Sequence, residues 1–184
     1  MKLIYLIGEP GTGKTTIMRQ FMKDSIWAPE TPAETLVTMI SPEGIRVLGK
    51  YEDGEVFAGT DRLSMSVAPK AVEWIKTSTD VAIVGEGDRL NNAAFFEAAK
   101  ANGTLHIIKL EVPDDEKQRR YAERGSNQSE RFLKTVKTKV KNISAKFGDT
   151  QTLFGSEVGS IITEKHETPA DTDRIVDLIK SLIG

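Results

Sequence analysis

Eight residues near the amino end, Gly8, Glu9, Pro10, Gly11, Thr12, Gly13, Lys14 and Thr15, follow the pattern G-x-x-x-x-G-K-[S/T]. Each residue type has a chemical reason to be there. Glycines let the backbone wrap so closely that successive N–H groups point at phosphate oxygens, and a helix starting after them adds partial positive charge. Lys14 is placed to reach the outer phosphates of a nucleotide, and Thr15 to offer a hydroxyl to Mg²⁺. The expected contacts to ATP are therefore Glu9, Pro10, Gly11, Thr12, Gly13, Lys14, Thr15 and the adjoining Thr16. Elsewhere the chain carries the pairs Asp61 with Arg62 and Asp88 with Arg89, an isolated Glu86, and Arg120 and Arg124 four residues apart. A carboxylate can take a hydroxyl proton, and a guanidinium can bind a phosphate through two parallel donors.

These residues need elements to position them. Residues 3–7 form an apolar run that stops at Gly8, and residues 14–23 suit a helix, so the phosphate-cradling pattern lies between a strand and a helix. Prolines make residues 29–32 an expected loop, followed by strands at 35–40 and 45–51 joined as a hairpin through Ser41, Pro42, Glu43 and Gly44. A helix is expected over 68–77 and a buried strand over 81–84, with Glu86 and Asp88 just past its end. Further on come a helix at 91–101, a strand at 105–112, a helix at 114–124, a mobile polar loop at 125–129 and a basic stretch at 131–146. A short strand at 161–163 and an amphipathic helix at 172–183 close the chain. Strands alternating with helices imply a mostly parallel sheet covered on both faces, that is, a three-layer α/β/α sandwich.

With 184 residues and 39% hydrophobic composition, the chain suits one domain over 1–184. Acidic and basic residues nearly cancel, 27 against 25, so any field that attracts a polyanion must be local. The absence of cysteine excludes thiolate nucleophiles, disulfides and cysteine-ligated zinc, and fits a reducing, cytoplasmic setting. The two histidines lack the spacing of a metal site. The apolar start is too short for the core of a signal peptide, and no stretch is long enough to cross a membrane, so no membrane partner is expected.

The pattern at residues 8–15, in its strand and helix context, resembles the P-loop nucleoside and nucleotide kinase superfamily. No Asn-Lys-x-Asp occurs, which argues against a guanine-reading GTPase, and the strand at 81–84 ends in Gly85, Glu86, Gly87 and Asp88 rather than the Asp or Asp-Glu of motor ATPases. The resemblance implies an acidic residue at this strand tip, Glu86 in preference to Asp88, to orient Mg²⁺ or take the acceptor proton. It implies that Asp61 and Arg62 hold and activate the acceptor, with Asp88 and Arg89 beside them; a capped surface turn is the competing reading. Residues 114–146 resemble the helical lid of this superfamily, where Arg120 and Arg124 would clamp the transferring phosphate, while Arg119 points elsewhere.

The segments around residues 49–65 and 85–90 are similar to small phage-encoded P-loop kinases, among them enzymes that phosphorylate 5-hydroxymethyluracil within DNA. That similarity implies a polynucleotide acceptor, Asp61 or Glu86 as base, and a backbone contact for the run Arg131, Lys134, Lys137, Lys139, Lys141 and Lys146, which contains no acid. A solvated helix face explains the same run equally well. Two alternatives stay open: a free nucleoside monophosphate kinase, and a nucleotide-dependent switch or ATPase that transfers nothing. Trp27 and Trp74 are expected to pack, although Trp27, Tyr51 and Phe57 also lie where a base could stack.

Overall fold

The computed structural model describes residues 1–52, 55, 57–123, 129–148 and 161–184. Strand β1 (Lys2–Ile7) is the apolar run read from the sequence, and every residue from Leu3 to Ile7 is buried. A strand buried on both faces must lie inside a parallel sheet. β1 pairs in parallel with β5 (Ala82–Glu86) on one side and β6 (Thr104–Glu111) on the other. With β2 (Ala28–Ala33), β3 (Leu36–Ile40), β4 (Ile45–Leu48) and β7 (Ile161–Lys165), the described residues form a seven-stranded sheet in the order β2-β3-β4-β5-β1-β6-β7. The pairings from β4 to β7 are parallel, and the β2-β3-β4 corner is antiparallel.

Helices cover both faces, giving the expected α/β/α sandwich. Leu3, Tyr5 and Ile7 point to one side, where α2 (Val67–Ile75), α3 (Ala93–Ala101) and α5 (Glu130–Phe147) pack over them. Ile4 and Leu6 point to the other, against α1 (Lys14–Met22) and α6 (Pro169–Ile183). α4 (Asp114–Glu123) follows β6 at the carboxyl end of the sheet. The alternation of side chains along β1 therefore feeds two separate apolar layers.

Three expectations are corrected. Residues 29–32 are not a loop: Ala28–Ala33 is an edge strand paired with β3, with a register shift between Glu30 and Ala33. An edge strand needs hydrogen bonds on one side only, which lets proline enter it. Arg46, buried beneath, anchors it by bonding Glu30 and Asp80 at 2.9 Å each. Glu86 is the last residue of β5 rather than past it, paired in register with Leu6. The closing helix starts at Pro169, where Thr168 and Asp171 form a capping box. The polar loop at 125–129 lies outside the described residues except for Ser129, which caps α5.

The hairpin strand β4 stops at Leu48 because Gly49 turns the chain with φ +92°. Lys50 and Gly59 then exchange backbone bonds of 3.2 and 2.8 Å, clipping the intervening segment and presenting a one-turn 3-10 helix, Thr60–Arg62. A Cβ on Gly49 would stand 2.0 Å from the Gly59 carbonyl oxygen. Gly49→Ala should therefore cost about 2–4 kcal/mol through backbone strain and a displaced clip. Urea unfolding measures the loss; an unchanged midpoint would show that the clip is not what sets this turn.

Candidate active site

The loop after β1 curls round an open pocket and enters α1 through Gly13, which is left-handed at φ 90°. Thr12 donates from its backbone N–H at 3.3 Å and from its hydroxyl at 2.8 Å to the Glu9 carbonyl. Lys14 folds back over the loop, its ammonium on the carbonyls of Gly8 at 2.8 Å and Glu9 at 3.0 Å. α4 supports the loop from outside. The Tyr121 hydroxyl donates to the Pro10 carbonyl at 2.7 Å, and Lys117 meets the Glu9 carboxylate at 3.2 Å. Arg120 donates to the Gly11 carbonyl and the His166 carbonyl, both at 3.1 Å, while Glu116 holds its Nε at 2.6 Å.

Opposite the loop, the tip of β5 presents Glu86, 2% exposed, whose Oε1 accepts the Thr15 hydroxyl at 3.0 Å. Burial pushes this carboxyl up to about 7, opposed by the nearby Lys14 ammonium and aided by the Asp61 charge. Asp61 comes from the 3-10 turn and accepts the Asp88 backbone N–H at 2.6 Å. Lys139 of α5 bonds both the Asp88 carbonyl at 2.8 Å and its carboxylate at 2.9 Å. Tyr5, from the centre of β1, ties these pieces together by donating to the Gly87 carbonyl at 2.8 Å and sharing a 3.2 Å bond with Thr60. The result is a cleft of about 510 Å³, walled by the phosphate loop, the β5 tip and the start of α5.

The structure brings together residues that were distant in the sequence. Pro10, Gly11, Gly13, Lys14, Thr15, Asp61, Glu86, Asp88 and Arg89 all line this cleft. Glu9 faces away toward Lys117, Thr12 is buried within the loop, and Thr16 is exposed on α1 outside the cleft. Arg62 turns from the cleft to pair with Glu52 and Glu55. Arg120 braces the outside of the loop instead of entering the cleft, Arg119 is on the surface with Glu116 and Glu123, and Arg124 lies outside the described residues. Trp27 packs on Phe21 and Trp74 lies beneath Arg46, whereas Phe57 lines the cleft at 58% exposure.

Sequence reasoning passed over Tyr121, His166, Asn91 and Phe132. His166 received no chemistry, yet its ring lies so close to Gly13 that a Cβ there would be 2.2 Å from its Cε1. Nothing local in the sequence signals that contact, since it joins residues from opposite ends of the chain.

A family model described as P-loop Nucleotide Kinase3 matches residues 1–168. The chain belongs to that family. No curated protein matches it. Among solved structures it is similar to a crystal structure of an uncharacterized protein from Eubacterium ventriosum ATCC 27560, with 14% identity over 97% of this chain and 98% of that one and a TM-score of 0.46.

As in P-loop nucleotide kinases generally, the arrangement suits ATP with Mg²⁺. Thr15 Oγ1 and Glu86 Oε1 are two hard oxygen donors side by side, and Mg²⁺ commonly takes one or two protein ligands, completing its shell with phosphate oxygens and water. A cation there would add to the compensating positive charge that Lys14 offers the buried Glu86 carboxylate. No helix is long and apolar enough to cross a membrane among the described residues.

The raised Glu86 carboxyl has a consequence for ligand-free stability. Because its folded value of about 7 exceeds the ordinary 4.5, the folded state holds this proton more tightly than the unfolded chain. The contribution is full below pH 4.5 and is lost as the pH rises through 7. Glu86→Gln should therefore stabilise the ligand-free protein at pH 8 by about 1–3 kcal/mol, with the gain fading toward pH 5. Urea titrations at the two pH values test this. A pH-independent gain would mean that Glu86 is not held protonated by burial.

Proposed function

We propose that this protein is an ATP-dependent kinase, a single domain over 1–184, that transfers the γ-phosphate of Mg·ATP to a nucleotide-class acceptor entering the cleft between the phosphate loop and the β5 tip. The observation that carries this reading is the meeting of Thr15, Glu86, Asp61 and Arg89 in one cleft beside the loop. A switch that only bound nucleotide would need no further carboxylates and guanidinium on the wall of the cleft facing the loop.

In this reading the backbone amides of residues 10–15 hold the β- and γ-phosphates, and Lys14 leaves the Gly8 and Glu9 carbonyls for the phosphate oxygens. Thr15 and Glu86 would hold Mg²⁺, whose positive charge would offset that of the phosphate oxygens. Asp61 is the base: one of its oxygens is engaged by the Asp88 N–H, which orients the other toward an acceptor hydroxyl. Arg89 offers its guanidinium to acceptor phosphate. α4 and α5 form the lid, excluding water that would otherwise hydrolyse ATP.

The best specific acceptor is the hydroxymethyl group of 5-hydroxymethyluracil in DNA, as in the phage kinases to which the sequence is similar. Its support in the fold is α5, which sends Phe132 and Val136 to the cleft while Arg131, Lys134, Lys137 and Lys141 remain exposed. Lys137 and Lys141 line a separate groove with Glu9 and Lys117, on the side of α5 turned from Phe132, so a DNA backbone would meet that basic face only by passing round α5 from a base extruded into the cleft. A free nucleoside monophosphate is the alternative acceptor.

The test is transfer from γ-labelled ATP to deoxynucleoside monophosphates, ordinary DNA and DNA containing 5-hydroxymethyluracil. Label in the modified DNA, with transfer falling steeply as salt rises, is the expected result. Label only in free nucleotides would reassign the acceptor, and label only in inorganic phosphate would overturn the kinase reading. Asp61→Asn should lower transfer by about 10²–10⁴-fold while Mg·ATP still binds. Lys14→Ala should lower turnover by about 10²-fold or more. Full activity in either variant would refute the role given to that residue.

A further inference from the structure

Asn91 is 4% exposed and borders the cleft, yet its Oδ1 is sealed from solvent with no hydrogen-bond partner among the described residues. It does not serve the helix that follows: the cap of α3 is Asn92, whose side chain accepts the Phe95 N–H at 3.0 Å. Two residues earlier on the same wall, the Arg89 Nε is likewise buried without a partner. A buried amide carbonyl left unmade is destabilising, so this wall is incomplete until something donates to it. The two ends of an amide exchange by a half-turn about one bond, so a ligand edge with an adjacent donor and acceptor satisfies both.

The apolar parts of the same cleft point to the shape of that ligand. Phe57 and Phe132 are 58% and 42% exposed, two of the few large apolar side chains turned outward among the described residues, and both line the cleft. They come from separate elements, the segment before the 3-10 turn and the first turn of α5. Exposed aromatic rings beside a hydrogen-bonding amide suit a flat ring that stacks on its faces and bonds along its edge. Such a ring with an anionic group next to it, for Arg89, is a nucleobase with its phosphate.

We infer that Asn91 reads the edge of the acceptor's unpaired nucleobase, which Phe57 and Phe132 hold by its faces, so that Asn91 sets the base preference of this protein. The inference rests on the kinase reading of the same cleft. An amide pairs with the N–H and adjacent carbonyl of a uracil, thymine or guanine edge, or with the amino and ring nitrogen of adenine or cytosine. Held one way round by the cleft, the amide discriminates against the bases it does not fit, because a mismatched edge leaves a buried polar group unpaired.

The experiment is calorimetric binding, with Mg²⁺ and a non-hydrolysable ATP analogue present, of the deoxynucleoside monophosphates, of 5-hydroxymethyl-dUMP, and of short single-stranded homopolymers. The monophosphates and strands separate a free nucleotide from a base within a chain. The parent protein should prefer one base at least tenfold. Asn91→Leu, which keeps the shape and removes the hydrogen bonds, should weaken that base at least tenfold and level the ranking. Phe132→Leu, at an exposed position that tolerates change, should weaken all bases by a similar factor and keep the ranking. Ligand-free Asn91→Leu should melt no lower than the parent, since the amide oxygen it removes is buried and unpaired there.

Four results overturn the inference: an intact ranking in Asn91→Leu, equal loss of ATP and base affinity, a lower melting temperature of the ligand-free variant, or no effect of Phe132→Leu. If transfer to a nucleotide acceptor proceeds with an unchanged ranking in Asn91→Leu, this inference fails and the kinase reading survives. If no nucleobase binds in any form, both fall.

Discussion

The site depends on a close approach between Gly13 and the His166 ring, which leaves no room for a side chain on the loop. A loop that offers its amides to an anion on its inner side must be held on its outer side, or the repulsion among aligned N–H groups would open it. His166 does this as a neutral ring. Burial and the adjacent Arg120 lower its affinity for a proton. It can then accept from Arg120 at 3.3 Å through Nδ1 and donate from Nε2 to the Thr172 hydroxyl at 2.8 Å. One contact thus connects the loop after the first strand, the helix after the sixth and the last helix of the chain.

The same logic divides labour between the two carboxylates. Glu86 ends a buried strand and accepts the Thr15 hydroxyl there, so burial makes its charged form costly. Asp61 sits on a turn and accepts the Asp88 N–H, which fixes its position. Tyr5, standing in the core between Phe95 and Phe96, keeps both supports in place by bonding Gly87 and Thr60. A hydroxyl placed in an apolar layer is acceptable because its bonds are complete.

The basic run on α5 does two jobs. Lys139 is directed inward to Asp88, and Lys146 pairs with Glu97. The first tethers α5 to the segment that follows β5, so that the helix and this wall of the cleft are coupled. The remaining basic side chains stay exposed, with no acid among them along the helix, and this is the local field that the near-neutral composition of the chain conceals.

By itself the sequence determined the parts whose physics is local. An apolar run, a glycine pattern and a helical period fix a strand, a phosphate loop and a helix because each depends on neighbours within a few residues. That was enough to read the α/β/α sandwich, the hairpin of β3 and β4, and membership in the P-loop kinases. Only the tertiary structure decided the rest. It admitted prolines to β2, since Arg46 could anchor an edge strand through Glu30 and Asp80. It turned Arg62 toward Glu52 and Glu55, set Arg120 behind the loop, and drew Asn91 and Phe132 to the cleft. A side chain's direction depends on what lies across from it, and those partners are set by packing between segments tens of residues apart, which no local pattern encodes.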